Sequence, residues 1–155
     1  MVLLSLSLTL ICSLAMQAAP LAPAPGPDCL LATEHNRLQT ETNLNGRIKI
    51  YSEASTRCQN SLAALVRHQD LQEVPAQLKS WLNLLEISLE DINGSTARKD
   101  KSKALIRYEI HLRKAIGNVQ EIKLKASADQ FDDFERFLAK AQEIHKHFVN
   151  MLFQR

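Results

Sequence analysis

Beyond residue 28, apolar residues recur at alternating three- and four-residue steps, the spacing that gathers them on one face of an α-helix. Asp28 stands as an N-cap before the stripe Leu30, Leu31, His35, Leu38 and Leu44. Gly46, after Asn45, reads as a left-handed helix stop. A second helix is expected from near Cys58, with Leu62, Leu65 and Val66 apolar, until Pro75 breaks or restarts it. The next stripe is Leu78, Trp81, Leu82, Leu85 and Leu89, and Asn93-Gly94-Ser95 is expected to end it in a turn. A basic linker, Arg98 to Lys103, leads into Leu105, Tyr108, Leu112, Ala115, Val119 and Ile122. Gly117-Asn118 falls inside that pattern and is compatible with a continuous helix or a shorter one. The last stripe, Phe134, Leu138, Ala141, Ile144, Phe148 and Leu152, opens near Ser127 or Asp129. Acids in its first turn suit the positive end of the helix dipole.

The chain's beginning breaks this rhythm. Residues 3–15 form an apolar run, followed by small residues at Ala18 and Ala19. That is the pattern of an export signal, shorter than the ~20 apolar residues a membrane span needs. Four of the five prolines crowd into residues 20–27 and exclude helix there. The expected organisation is a signal peptide over 1–19, a proline-rich lead-in over 20–27 and one helical domain over 28–155. The mature protein is expected outside the cell, with no membrane insertion after signal cleavage.

An oxidising compartment changes how the cysteines read. Cys12 leaves with the signal, and Cys29 and Cys58 are expected to form a disulfide. A straight helix between them would separate them by ~43 Å, whereas a disulfide needs Cα atoms within ~7 Å. A first helix stopping at Gly46, with 47–57 returning extended, would bring them together. The sequon at Asn93 is an expected glycosylation site.

Composition adds mainly exclusions. A net charge of +2, with bases spread among acids, gives no footprint for nucleic acid. There is no Gly-x-Ser-x-Gly, phosphate loop or zinc signature. His145 and His147 are two apart, on different helix faces, and make a poor metal pair. Asp132, Asp133 and Glu135 suit a solvated first turn, and His35 a satisfied boundary position. No catalytic residue, metal or cofactor is expected, and no enzyme.

A signal, a proline-rich lead-in, an early disulfide, a sequon and a strong terminal helix together resemble the four-helix-bundle (class I, haematopoietin-type) cytokines. Residues 27–58, from Pro-Asp-Cys-Leu-Leu to Thr-Arg-Cys, are similar to the first helix and following loop of such factors. The Phe-rich stretch 129–153 is similar to the terminal helix of the interleukin-6/leukaemia inhibitory factor superfamily. Its acidic-aromatic run is also similar to the interleukin-3/colony-stimulating factor group. A receptor-contacting Phe-x-x-Lys of the leukaemia inhibitory factor group is matched by Phe137 to Lys140, one or two turns inside the helix.

The resemblance implies an all-α, up-up-down-down four-helix bundle, a monomer that bridges cell-surface cytokine receptor chains. It also implies that the first and last helices flank each other. Their outward charges, Glu34, Arg37 and Glu41 with Asp133, Arg136, Lys140, Glu143 and Lys146, would then form one receptor-binding face. That topology needs two long crossovers. Residues 46–58 supply one, and 118–128 the other only if the third helix stops at Gly117. The alternative from another class is a secreted lipid-binding protein whose amphipathic helices open on lipid.

Overall fold

The computed structural model describes residues 28–95 and 103–153. The expected signal peptide, the expected lead-in and all but the last residue of the basic linker lie outside the described residues. The regular structure of the described residues is all helix: α1 (Ala32–Thr40), α2 (Leu44–His68), α3 (Val74–Ser95), α4 (Lys103–Lys123) and α5 (Phe131–Phe153), the last entered through a 3-10 turn at Ala128–Gln130. No strand occurs among them.

Several boundaries differ from expectation for local reasons. Gly46 is near the start of α2, because Asn43 caps that helix: its side-chain oxygen accepts from the Asn45 N–H at 2.8 Å. Residues 47–57 are therefore helical, and Cys58 lies in the middle of α2 instead of opening a helix. The expected break falls earlier, at 41–43, and α1 is a short arm folded back along α2. Helix α2 then runs to His68 and ends on Gln69 in the left-handed region, at φ 61°. Pro75 occupies the first turn of α3, where its missing N–H costs nothing. Asn93 to Ser95 form the last helical residues of α3 rather than a turn beyond it. Gly117 is inside an unbroken α4, so residues 118–123 are helix and no crossover is available there.

Helices α2 to α5 pack in a ring, with α2 against α3 and α4, and α5 against α3 and α4. Residue pairings give the directions. Arg47 meets Asp91 while Ser55 meets Trp81, so α2 and α3 are antiparallel. Lys123 meets Glu135 and Tyr108 meets Phe148, so α4 and α5 are antiparallel too. Phe137 packs on Trp81, whereas Met151 lies near Leu89, so α3 and α5 run parallel. Directions alternate along the chain, up-down-up-down, in place of the expected up-up-down-down. The short connections at 69–73 and 124–127 dictate the two antiparallel pairs, since four or five residues can only return a chain beside the helix it left.

The core lies along the ring's axis. Trp81, Tyr51, Tyr108, Phe134 and Phe148 are its largest fully buried side chains. Each aromatic with a polar tip has a partner: Trp81 Nε1 donates to Ser55 Oγ at 3.0 Å and Tyr108 Oη to Ser88 Oγ at 2.8 Å. Tyr108 also meets Phe148 edge-to-face, with centroids 5.2 Å apart. The expected core residues Trp81, Phe134, Leu138 and Phe148 are all buried.

Candidate interaction surface

The disulfide organises the N-terminal side of the bundle. Cys29 and Cys58 are bonded, with Cα atoms 5.7 Å apart. Because α1 doubles back on α2, Cys29 reaches the middle of α2 without any extended return. The Cys29 N–H donates to Ser80 Oγ at 3.1 Å, and Arg57 donates to the Cys29 carbonyl at 3.1 Å. Arg57 also pairs with Glu34, whose carboxylate accepts the Leu31 N–H at 3.0 Å.

A second knot sits at the other end of α1. Arg47 donates through Nε and Nη2 to both carboxylate oxygens of Asp91, at 2.7 and 2.6 Å. Its Nη1 donates to the carbonyls of Leu38 and Glu41, both at 2.6 Å. Tyr51 Oη donates to Asp91 at 2.7 Å. Burial first, and the neighbouring carboxylate second, push the Tyr51 hydroxyl well above its ordinary range. The bond to Asp91 raises the Arg47 guanidinium, so both groups hold their protons through the physiological range.

These contacts draw one residue of the expected receptor face inward and tie a second to the backbone. Glu34 is only 6% exposed and is a packed, paired carboxylate, not an outward charge. Glu41 caps the turn after α1, its carboxylate accepting the Asn43 N–H at 2.8 Å. Arg37 is exposed, and so is His35, contrary to its expected boundary role. The expected adjacency also fails: α1 leans on α2, and its N-terminal approach shares a pocket with Ser80, Asn83 and Ile87 of α3. Helix α5 lies beyond α3. Among the described residues α1 packs chiefly on α2, and α5 on α3 and α4. Phe137, from the Phe-x-x-Lys match, is buried, with its ring centroid 5.1 Å from that of Trp81.

The α5 residues gather elsewhere. Asp133, Arg136 and Lys140 line a groove of about 550 Å³ with Pro75, Lys79 and Leu82 of α3, over a floor of Leu78 and Phe137. Asp133 pairs with Arg136, and Lys140 with Glu143 at 3.3 Å. Lys146 is exposed. Farther along the same α3/α5 seam, Asn93 and Glu90 face His147, Asn150 and Met151 around a second hollow of about 480 Å³. Asn93 is exposed, as an acceptor asparagine must be.

On the opposite side of α5, His145 bonds Glu109 at 2.8 Å and takes no part in a metal set. Among the described residues no group of three or more His, Cys, Asp or Glu side chains could hold a metal ion. None of their helices is long and apolar enough to cross a membrane. Sequence periodicity found the α5 charges but not their α3 partners, because it sorts residues by face and does not say which helix a face meets. No known protein family, curated protein or solved structure matches the chain.

Proposed function

We propose that this chain is a secreted signalling factor of cytokine type that engages cell-surface receptor chains through its helix faces, with the α3/α5 groove as a principal contact. The observation that carries the reading is that groove: an apolar floor ringed by Lys79, Asp133, Arg136 and Lys140. Protein partners are gripped in this manner, by a desolvated anchor inside a polar rim. The disulfide and the two polar knots fix the bundle, and a fixed surface loses little entropy on binding. Connectivity does not support the reading, since the alternating order differs from the order the cytokine resemblance implies. The proposal rests on surface chemistry and on the export-signal pattern.

The test is receptor-proximal phosphorylation in leukocytes exposed to the mature protein. Reversing Lys79, Arg136 and Lys140 to Glu should preserve folding and weaken activation at least tenfold, equivalent to about 1.4 kcal/mol. Full potency in a folded variant would remove the groove from the mechanism.

One observation favours a second reading. Consecutive antiparallel helices joined by short connections form a bundle that can open as a hinge and lay its apolar faces on lipid. Against it stand the buried bonds Trp81–Ser55 and Tyr108–Ser88, which opening would break. Calorimetry separates the two: a receptor ligand should melt cooperatively without lipid, and a lipid carrier only weakly.

A further inference from the structure

Charge is distributed unevenly among the helices. Helix α4 carries five cations (Lys103, Arg107, Arg113, Lys114, Lys123) against two acids (Glu109, Glu121), a net +3. The whole chain is +2, so everything outside α4 sums to −1. Two of the five are occupied: Arg113 lies 3.5 Å from Glu109, and Lys123 pairs with Glu135. The other three are exposed, and none has an ion pair or hydrogen bond among the described residues. At 3.6 residues per turn, Lys103, Arg107 and Lys114 fall within about 40° of one another around the helix. They form a single row about 16 Å long. Glu121 closes the row at its C-terminal end.

This placement works against the helix itself. Lys103 is the first residue of α4, and no acid stands in the first turn, so this cation meets the positive end of the dipole. A local rule broken in this way is expected at positions retained for binding.

We propose that the Lys103–Arg107–Lys114 row is a docking strip for a linear sulfated polysaccharide, the anionic chain of the cell surface and extracellular matrix. Row geometry argues for a linear polyanion, because three unpaired cations on a narrow convex strip match a chain of repeating anionic groups. A bilayer fits less well: the apolar face of α4 is spent on the core through Leu105, Tyr108, Leu112 and Val119. Nucleic acid also fits less well, for the row has no aromatic side chain on which bases stack. The choice of a sulfated sugar rests on the secreted reading above, but binding in vitro does not. Helix α4 is diagonal to α3 in the ring, so the row is turned away from the α3/α5 groove, and one molecule can hold both partners.

The probe is heparin, immobilised, with the mature protein applied at about 0.15 M salt. Retention is expected, with log affinity falling against log salt at a slope of roughly −2 to −3 for three ionic contacts. K103E/R107E/K114E should lose at least tenfold in affinity, and K103Q/R107Q/K114Q should lose a smaller part of it. K79E/R136E/K140E removes the same charge from the α3/α5 rim and should keep heparin affinity within about threefold, far short of the roughly tenfold steps read for the row. Circular dichroism of each variant checks that the helices remain. No retention of the parent protein, or equal losses in both triple reversals, would overturn the proposal. Tighter binding to phosphatidylserine vesicles or to a DNA duplex than to heparin would overturn it too. Loss of receptor activation in the rim variant alone leaves this strip intact, and loss of heparin binding in the row variant alone leaves the groove reading intact.

Discussion

Removing the Asp91 carboxylate should be among the most damaging single changes available in this bundle. Asp91 accepts three hydrogen bonds, two from Arg47 and one from Tyr51, and links α2 to α3. Arg47 in turn holds the carbonyls of Leu38 and Glu41, so the same carboxylate anchors the end of α1 at one remove. In Asp91→Ala the guanidinium stays about four-fifths covered, its side chain 18% exposed, with no counter-charge. Breaking a buried pair on one side costs ~3–5 kcal/mol. Partial exposure of both side chains, 18% and 22%, discounts that to ~2–4 kcal/mol. For a domain of this size, each kcal/mol lowers the melting temperature by roughly 3–5 °C, so a fall on the order of 10 °C is expected. Thermal melting by circular dichroism measures it. Replacing the trio together (Arg47→Met, Tyr51→Phe, Asp91→Leu) should recover most of the loss, because no stranded charge remains. If Asp91→Ala melts within 2 °C of the parent, roughly the shift of half a kcal/mol, the knot contributes nothing and the reasoning fails.

Phe148→Ala should cost ~3–5 kcal/mol, since the ring is fully buried against Tyr108; an unchanged melting transition would show it exposed. Non-reducing peptide mapping should recover Cys29 and Cys58 in one fragment, and reduction should cost ~3–4 kcal/mol for a loop of this length; two alkylatable thiols would contradict the structure. Burial lowers the His111 imidazole below its ordinary value of 6.5. The folded state therefore binds a proton less readily than the unfolded one, and stability present above pH ~6.5 is lost as pH falls below it. His111→Leu should flatten the dependence of denaturation midpoint on pH between about 7 and 5, and an identical profile in both proteins would refute this. Peptide-N-glycosidase treatment of the protein recovered from the medium of eukaryotic cells expressing the full chain should reduce its mass, and Asn93→Gln should abolish that change.

How much of this was legible in the sequence depends on the range of the interaction. The stripe of α5 was plain, because Phe134, Leu138, Ala141, Ile144 and Phe148 obey the helical period over about four turns. The all-helical class followed from the absence of breakers. Gly46 misled because glycine is a strong stop where it follows a helix, and here Asn43 three residues earlier starts one. The capping signal was present, Asn43 with a free Asn45 N–H two residues on, but it was outweighed by the glycine. A straight helix and an extended return are not the only paths between Cys29 and Cys58. A short arm folded back on a long helix satisfies the same distance with all residues of α2 helical.

The receptor face was the least legible feature, because helical periodicity sorts residues by face and says nothing about what a face meets. Glu34, Arg37 and Glu41 do share spacing, but the disulfide brings Arg57 beside Glu34 and draws it inward. A reader of the sequence who accepted the Cys29–Cys58 bond had the means to see this: Glu34 stands five residues after one cysteine and Arg57 immediately before the other. Opposite charges fastened that closely in a water-poor corner pair before they face solvent. Conversely, Asp133, Arg136 and Lys140 kept their exposure because α5 meets α3 in parallel, leaving a seam rather than a sealed contact. The connection lengths decide that seam. Short returns at 69–73 and 124–127 make two antiparallel hairpins, and stacking the hairpins sets α3 beside α5 and α2 beside α4. A surface built this way belongs to neither hairpin alone, so recognition through it requires the assembled bundle, and unfolding either hairpin abolishes it.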